Sequence, residues 1–362
     1  MRFVTSDLQV LVALEAGARQ YQDLTDRTGL ARSTVSRSVT RLSDHGVVEQ
    51  HQDGRAVSVR PGPTSVVDSI GAVRESAPQL GLQEFLTMAR LRILWFLTAP
   101  RTASEIAQFT DVGETRARQV LAELRRRQIA TETETGVRLR PKYEPLQSLA
   151  ESVFDVFHTT EIKTELPEST VVWTAPHEAL FTAPSFDGAD SLDGTVTQTG
   201  LDQFTQWGLE FRSSSTPLYY RSTRSERTTL TAMDVIIHTL CRQVDNRRAE
   251  YSAVLLAEAV TNVTFSQDRF LRLVDHYDIK EVGQYLPPLV VASAESEKAG
   301  RRRTSGRATS VATSSGEPRE STVIRSLFPS PGRVRDTAGQ YDVDISRAGE
   351  ELKDAVDGSL SK

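Results

Sequence analysis

The first 142 residues contain one pattern twice, and that repeat limits what the chain can fold into. Residues 8–50 realign with residues 90–132 at a constant offset of 82, without a gap. Leu11, Leu24, Val39, Leu42 and Val47 fall on Ile93, Ile106, Leu121, Leu124 and Ile129. Further on the offset drops to 80, and Val57-Ser58-Val59-Arg60-Pro61 meets Val137-Arg138-Leu139-Arg140-Pro141. The two-residue difference falls in a turn, where insertions are tolerated. Each copy reads as three helices followed by a β-hairpin, the order of a winged helix-turn-helix.

The pattern predicts a mainly α chain with small β-wings, an α+β fold in five segments. A first winged helix-turn-helix spans 1–62, a connector 63–83 and a second winged helix-turn-helix 84–143. A mixed α/β to helical C-terminal domain covers 144–292, and a largely disordered tail 293–362. In the first module, Leu8, Leu11, Val12 and Leu14 mark helix one, which Gly17 closes. Helix two covers about 20–28, Gly29-Leu30 makes the turn, and helix three covers about 32–45. Asp53-Gly54 reads as the hairpin turn. In the connector, Val66 to Val73 reads as a short helix. In the second module, Leu91, Ile93, Leu94, Trp95, Phe96 and Leu97 are almost continuously apolar, so that helix is buried on most sides.

In the C-terminal domain, Thr170 to Trp173 and Leu218 to Arg221 read as strands. Thr199 to Trp207 reads as a short helix closed by Gly208. Helices are expected at about 230–244, 247–262 and 266–276, with a short one at 279–285 stopping before Pro287-Pro288. Residues 293–325 are rich in Ser, Thr, Arg and Gly, a composition too poor in large apolar side chains to bury a core. One weak acidic helix is expected beyond residue 341.

A net charge of −5 argues against a nucleic-acid binder until it is divided along the chain. Residues 1–143 carry 20 Lys and Arg against 16 Asp and Glu, and the remainder 23 against 32. The positive excess therefore sits in the repeat, where attraction to phosphate needs it. Only six of the basic residues are lysine, and the lysine-poor, Asp/Glu/Thr-rich balance resembles that of salt-adapted cytoplasmic proteins. No run of eighteen apolar residues exists, so no membrane span is expected. The N-terminus begins on a helix pattern without a signal segment. These features predict a cytoplasmic protein. A single cysteine, Cys241, excludes an internal disulfide and a thiolate metal cluster.

Helix three of the first module carries the chemistry. At 100° per residue, Val35, Val39 and Leu42 form one stripe. The opposite stripe is Ser33, Arg37, Thr40 and Arg41, with Thr34 and Ser36 at its edges and Arg32 at the helix start. Short hydroxyls with arginines suit a major groove, where arginine donates two hydrogen bonds to guanine and hydroxyls reach bases or phosphates. Arg55 at the hairpin tip is placed to reach a neighbouring phosphate or minor groove. The competing reading is an ordinary solvated face. The segment from Gly29 through Arg32-Ser33-Thr34-Val35-Ser36-Arg37 to Val48 resembles winged-helix regulators of the MarR and ArsR type. The resemblance implies that Arg32 to Arg41 is the recognition helix and Gln50 to Arg60 the wing. The tandem copy departs from those families.

The second copy differs chemically. Its outward stripe is Thr115, Gln119, Ala122, Glu123 and Arg126, flanked by Arg116 and Arg118. Its wing, Thr131-Glu132-Thr133-Glu134-Thr135, would repel phosphates. The first module is thus expected to read sequence, with Thr115, Arg116, Arg118 and Gln119 as secondary DNA contacts. The second module is expected to pack, dimerise or add phosphate contacts.

The C-terminal domain shows no phosphate-cradling glycine loop and no His/Cys cluster, and the six histidines of the chain are scattered. No catalytic residue, metal or cofactor is expected, and the chain is not read as an enzyme. Trp173, Trp207, Tyr219 and Tyr220 read as core. The stretch from Thr199-Gly200-Leu201 through Leu218-Tyr219-Tyr220 to Asp234–Leu240 resembles the C-terminal part of winged-helix antitoxin regulators of abortive-infection systems. The nucleotidyltransferase signature of their toxin partners is missing. The expected function is a transcriptional regulator binding double-stranded DNA, with a homodimer or protein partner engaged through the second module and C-terminal domain. The alternative is a non-enzymatic interaction protein, an antitoxin or scaffold whose winged helices bind protein.

Overall fold

The structure is a computed structural model that describes residues 3–53, 56–186, 192, 194–211, 216–224, 229–242, 245–262, 265–303 and 328–359. It is mixed α+β, mostly helical with small sheets. The chain divides into two units, the first comprising residues 1–179, 186–195 and 222–224 and the second the rest. Among the described residues no helix is long and apolar enough to cross a membrane.

The first unit opens with α1 (Thr5–Glu15), α2 (Tyr21–Thr28) and α3 (Arg32–Asp44), followed by the antiparallel hairpin β1 (Val48–Asp53) and β2 (Ala56–Pro61). Asp7 starts α1 by accepting the Val4 amide at 2.9 Å. Gly29 ends α2 at φ +67°, a left-handed turn that glycine adopts without steric cost. Residues 19 and 20 add a third edge to the wing, with a Gln20–Ser58 bridge and the Val59 amide donating to the Arg19 carbonyl at 2.7 Å.

Helix α4 (Val66–Ser76) occupies the expected connector and α5 (Leu82–Phe85) follows. Next come α6 (Met88–Phe96), α7 (Ala103–Phe109), α8 (Glu114–Arg126) and the hairpin β3 (Ala130–Thr133) and β4 (Gly136–Leu139). The ends of α8 lie 82 residues beyond those of α3. Both helices close the same way: the Val47 amide donates to Leu42 and the Ile129 amide to Leu124, each at 2.9 Å. The left-handed residue in that closure is Gly46 (φ +65°) after α3 and Gln128 (φ +59°) after α8.

Helix α9 (Glu144–Glu165) packs on α4 and α6. One continuous apolar cluster runs from Phe3 through α1, α3, α4, α6 and α8 to Phe157. The helical triplets therefore share their core with the connector and α9. Helix α6 explains this: Leu91, Ile93, Leu94 and Phe96 are all buried, too many for one face of one small module.

Strands β5 (Thr170–Thr174), β6 (Glu178–Thr182), β7 (Thr195–Thr199) and β8 (Leu218–Ser222) are ordered β5-β6-β8-β7. Strands β6 and β7 were not anticipated. Every residue of β6 and β8 is buried, which erases the alternation that reveals a half-exposed strand. The expected segment at 199–207 is a 3-10 turn at Leu201–Trp207, closed by Gly208 in the left-handed region.

The second unit continues with α10 (Ala232–Cys241), α11 (Asn246–Thr261), α12 (Gln267–His276) and α13 (Lys280–Gly283). Thr231 and Asp234 cap α10 reciprocally. Helix α13 stops before Pro287-Pro288, but those prolines open a further helix that was not anticipated: they sit in the first turn of α14 (Leu286–Arg303), where amides lack intrahelical partners anyway. Within the segment beyond 293, α15 (Pro331–Gln340) and α16 (Ile345–Ser359) pack on α11 and α14 and bury Val334, Ala338, Ile345, Ala348 and Leu352. Small residues make the interface, and a Cβ on Gly349 would collide with the Ala294 Cβ. Close approach of small side chains buries area without the large apolar residues that signal a core. Residues 304–327, the most Ser/Thr/Arg-rich part of the expected tail, lie outside the described residues.

Candidate nucleic-acid interface

Helix α3 is amphipathic in the predicted sense. Val35, Val39 and Leu42 are fully buried, whereas Arg32, Ser33, Ser36, Arg37 and Thr40 are exposed and Thr34 is half-buried. The exposed set lies on the outward face of the second helix of a helix-turn-helix, the element that enters a major groove. Arg37 returns its Nε to the Ser33 carbonyl at 3.3 Å. That bond orients the side chain and leaves its terminal nitrogens without a partner among the described residues.

Arg41 departs from the expected reading head. Its Nη2 donates to Asp7 Oδ1 at 2.7 Å and to Ser38 Oγ at 3.3 Å, and its Nε donates to Asp7 Oδ2 at 3.2 Å. Asp7 is 1% exposed and the Arg41 side chain 22%. A buried carboxylate outcompetes solvent for the guanidinium because each would otherwise be left desolvated and unpaired. Arg41 is therefore a clamp between α1 and α3 rather than a free base reader. Ser38 completes the joint by sharing a 2.9 Å hydrogen bond with Ser6.

A second tie joins the helices to the wing. The Tyr21 hydroxyl donates to Gln50 Oε1 at 2.9 Å, linking the start of α2 to β1. Burial raises the Tyr21 pKa, against the nearby Arg32 guanidinium, which lowers it. Sequence reading missed both ties. A lone Asp in an otherwise apolar helix was the available signal for the first; a hydroxyl–amide pair across thirty residues leaves none. Arg55 lies outside the described residues.

On α8, Thr115, Arg116, Arg118 and Gln119 are all exposed, but several of these groups are engaged within the helix. Arg118 pairs with Glu114 one turn earlier, and Arg116 Nη1 donates to Gln119 Oε1 at 3.4 Å. Glu123, in the predicted outward stripe, is instead half-buried, held by Arg90 at 2.5 Å and Arg127 at 3.0 Å. Burial opposes its ionisation, but these guanidiniums outweigh burial and its pKa falls. Glu132 of the wing pairs with Arg125. The two exposed faces therefore differ in kind, one hydroxyl-rich with arginine terminal nitrogens unengaged among the described residues and the other internally paired.

The C-terminal end of α3 abuts α9. His45, the residue after α3, is buried, its ring 5.1 Å from that of Phe3 and 6.1 Å from that of Phe157. Burial lowers its pKa against the opposing pull of Glu161, and its Nδ1 has no hydrogen-bond partner among the described residues. Among the described residues no group of His, Cys, Asp and Glu is arranged to hold a metal ion.

Residues 8–52 match the IclR helix-turn-helix domain, a DNA-binding winged-helix family. The match runs from within α1 to β1 and contains the whole of α2 and α3. This stretch is similar to the IclR helix-turn-helix, whereas the sequence resemblance pointed to the MarR and ArsR types. No curated protein matches the chain.

Proposed function

We propose that the chain is a transcriptional regulator that docks α3 in the major groove of double-stranded DNA. The observation that carries this reading is the exposed face of Arg32, Ser33, Ser36, Arg37 and Thr40 on the recognition position of an IclR-type helix-turn-helix. Arg37 reads bases, Arg32 and the hydroxyls hold phosphate and base edges, and the wing around Arg55 follows the neighbouring backbone. The Asp7–Arg41 and Tyr21–Gln50 ties set the angle at which α3 and the wing are presented together.

The second set of helices and hairpin is a further winged helix-turn-helix module in this reading. Its internally paired α8 face makes it an auxiliary element that adds phosphate contacts or meets a protein partner. The C-terminal unit serves oligomerisation or partner binding, and the chain works without catalysis in the cytoplasm.

The test is a salt series of binding to the DNA upstream of the chain's own gene, with Arg37→Ala beside the wild type. Footprinted binding that falls steeply with salt and is lost in the variant supports the reading. Absent binding, or weak binding identical for both proteins, overturns it in favour of an antitoxin-like or scaffold role.

A further inference from the structure

The second hairpin carries a cationic flank that neither α3 nor α8 accounts for. Its register pairs Ala130 with Leu139 and Glu132 with Val137 on one face, and Thr131 with Arg138 and Thr133 with Gly136 on the other. Ala130, Val137 and Leu139 are buried and Arg138 is exposed, so the second face is the outer one. Glu132 is exposed as well, but it belongs to the first face, where Arg125 of α8 holds it. Alternation thus separates charges that the sequence of the wing runs together. The Glu132 carboxylate goes toward α8, Glu134 stays in the turn at the tip, and the outer flank keeps hydroxyls and arginine.

This flank continues one residue past β4. The Arg140 amide donates to the Ile129 carbonyl at 3.0 Å, and the backbone at Arg140 is extended (φ −77°, ψ 145°). Exposed Arg140 therefore follows Arg138 on the same face, about 7 Å along the strand. Lys142, in the 3-10 turn Pro141–Tyr143, is exposed as well. Among the described residues neither arginine has a hydrogen-bond or ion-pair partner. The next carboxylate along the chain, Glu144, opens α9, where the helix amides balance its charge. Strand β4 is also held from its other side: the Arg101 backbone pairs with Val137 at 2.9 Å in both directions, and a Cβ on Gly136 would overlap that backbone. The first wing differs at the same place. There Arg60 stands directly opposite Glu49, which also meets His51 Nε2 at 3.1 Å. A carboxylate across the ladder offsets a cation, whereas Thr131 in that position leaves Arg138 uncompensated.

We propose that this flank of the second wing, Arg138 and Arg140 with Lys142 beside them, binds the phosphate backbone of duplex DNA without reading its sequence. The proposal rests on the DNA-binding reading of the chain and adds the element through which the second module takes part: the side of the hairpin, not α8 and not the hairpin tip. Two guanidiniums on a held strand are spaced like neighbouring phosphates along one strand of a nucleic acid, and each can grip a phosphate with two parallel hydrogen bonds. The half-buried Thr131 hydroxyl lies across from Arg138 as a further donor. An acidic peptide is attracted by the same charges but has no fixed repeat of anionic groups to match that spacing. Helix α3 then chooses the site, and the second wing supplies a sequence-independent hold.

The experiment is a salt series of the full chain binding a duplex of mixed sequence, with the double variant Arg138→Gln/Arg140→Gln beside the wild type. Each lost phosphate contact lowers the slope of log affinity against log salt by about 0.9, so the double variant is expected to lose about 2 from the wild-type slope. Arg138→Lys/Arg140→Lys keeps the charges and retains the slope. Arg127→Gln is the control, since it removes an exposed cation already paired with Glu123; it leaves the slope unchanged. A double variant with the wild-type slope and affinity overturns the proposal. So does an unchanged DNA slope together with lost binding of poly-L-glutamate, which would assign the flank to an acidic protein. Wild-type binding to the mixed duplex that depends on Arg138 and Arg140, with no footprint upstream of the gene, supports this proposal and sinks the site-specific reading alone. A wild type that binds neither duplex overturns both.

Discussion

Asp7 and Arg41, 34 residues apart, form a two-pronged ion pair in which the carboxylate is almost wholly buried and the guanidinium mostly so. It joins the first turn of α1 to the last turn of the recognition helix. Breaking one partner leaves the other desolvated and unpaired, which is costly. Asp7→Asn is expected to destabilise the chain by about 2–4 kcal/mol, read by urea denaturation. At a temperature where Arg41→Gln stays folded, its salt slope for DNA should match wild type. A reduced slope would return Arg41 to the set of phosphate contacts.

Arg37 and Gln119 occupy corresponding places at the offset of 82, yet their surroundings differ. Arg37→Ala is expected to weaken specific DNA binding by about 1–3 kcal/mol. Gln119→Ala should cost well under half of that, because its carbonyl oxygen already accepts from Arg116. Paired binding isotherms at one salt concentration decide the point, and equal losses would remove the division of labour between α3 and α8.

Gln128 adopts the left-handed conformation that Gly46 adopts after α3. A side chain there costs roughly 1–2 kcal/mol of backbone strain. Gln128→Gly should therefore stabilise the chain by about 1 kcal/mol. Gly46→Ala should destabilise it by a similar amount, since a Cβ at Gly46 meets nothing within 4 Å and only the backbone term changes. Chemical denaturation of both variants measures the pair; an unstable Gln128→Gly would show that the glutamine side chain contributes a contact of its own.

Burial lowers the His45 pKa from its ordinary 6.5, with Glu161 opposing. The unfolded chain then takes up a proton at higher pH than the folded one. The stability from burying neutral His45 is complete above about 6.5 and is lost as pH falls from there toward the lower folded value. An NMR titration of the His45 ring should give a midpoint below 6.5. The stability advantage of wild type over His45→Phe should shrink as pH falls from about 7.5 to about 5.5.

The helix-turn-helix was legible because its signals are local. The stripe Val35, Val39 and Leu42, the turn at Gly29 and the wing strands follow from 3.6-residue and two-residue periodicities and from one left-handed glycine. Arg41 was misread for a reason that periodicity cannot supply. Its position on the outer stripe is right, but a long side chain goes where its charge is best paired, and Asp7 lies on another helix. A helix beyond 341 was legible, but α15 and the packing of the tail escaped because Ala294, Ala338, Ala348 and Gly349 pack by close approach rather than by bulk. Strand β6 escaped because burial on both faces leaves no alternation to see.

By itself the sequence determined the order of helices and hairpins in the first 142 residues and the outward chemistry of α3, since both depend on short-range spacing. Tertiary structure decided which exposed arginines are engaged and that one apolar core runs from Phe3 to Phe157. Those outcomes depend on which distant groups meet in a low-dielectric interior. There an unpaired charge or an unfilled contact costs kilocalories, and no spacing along the chain records the partner.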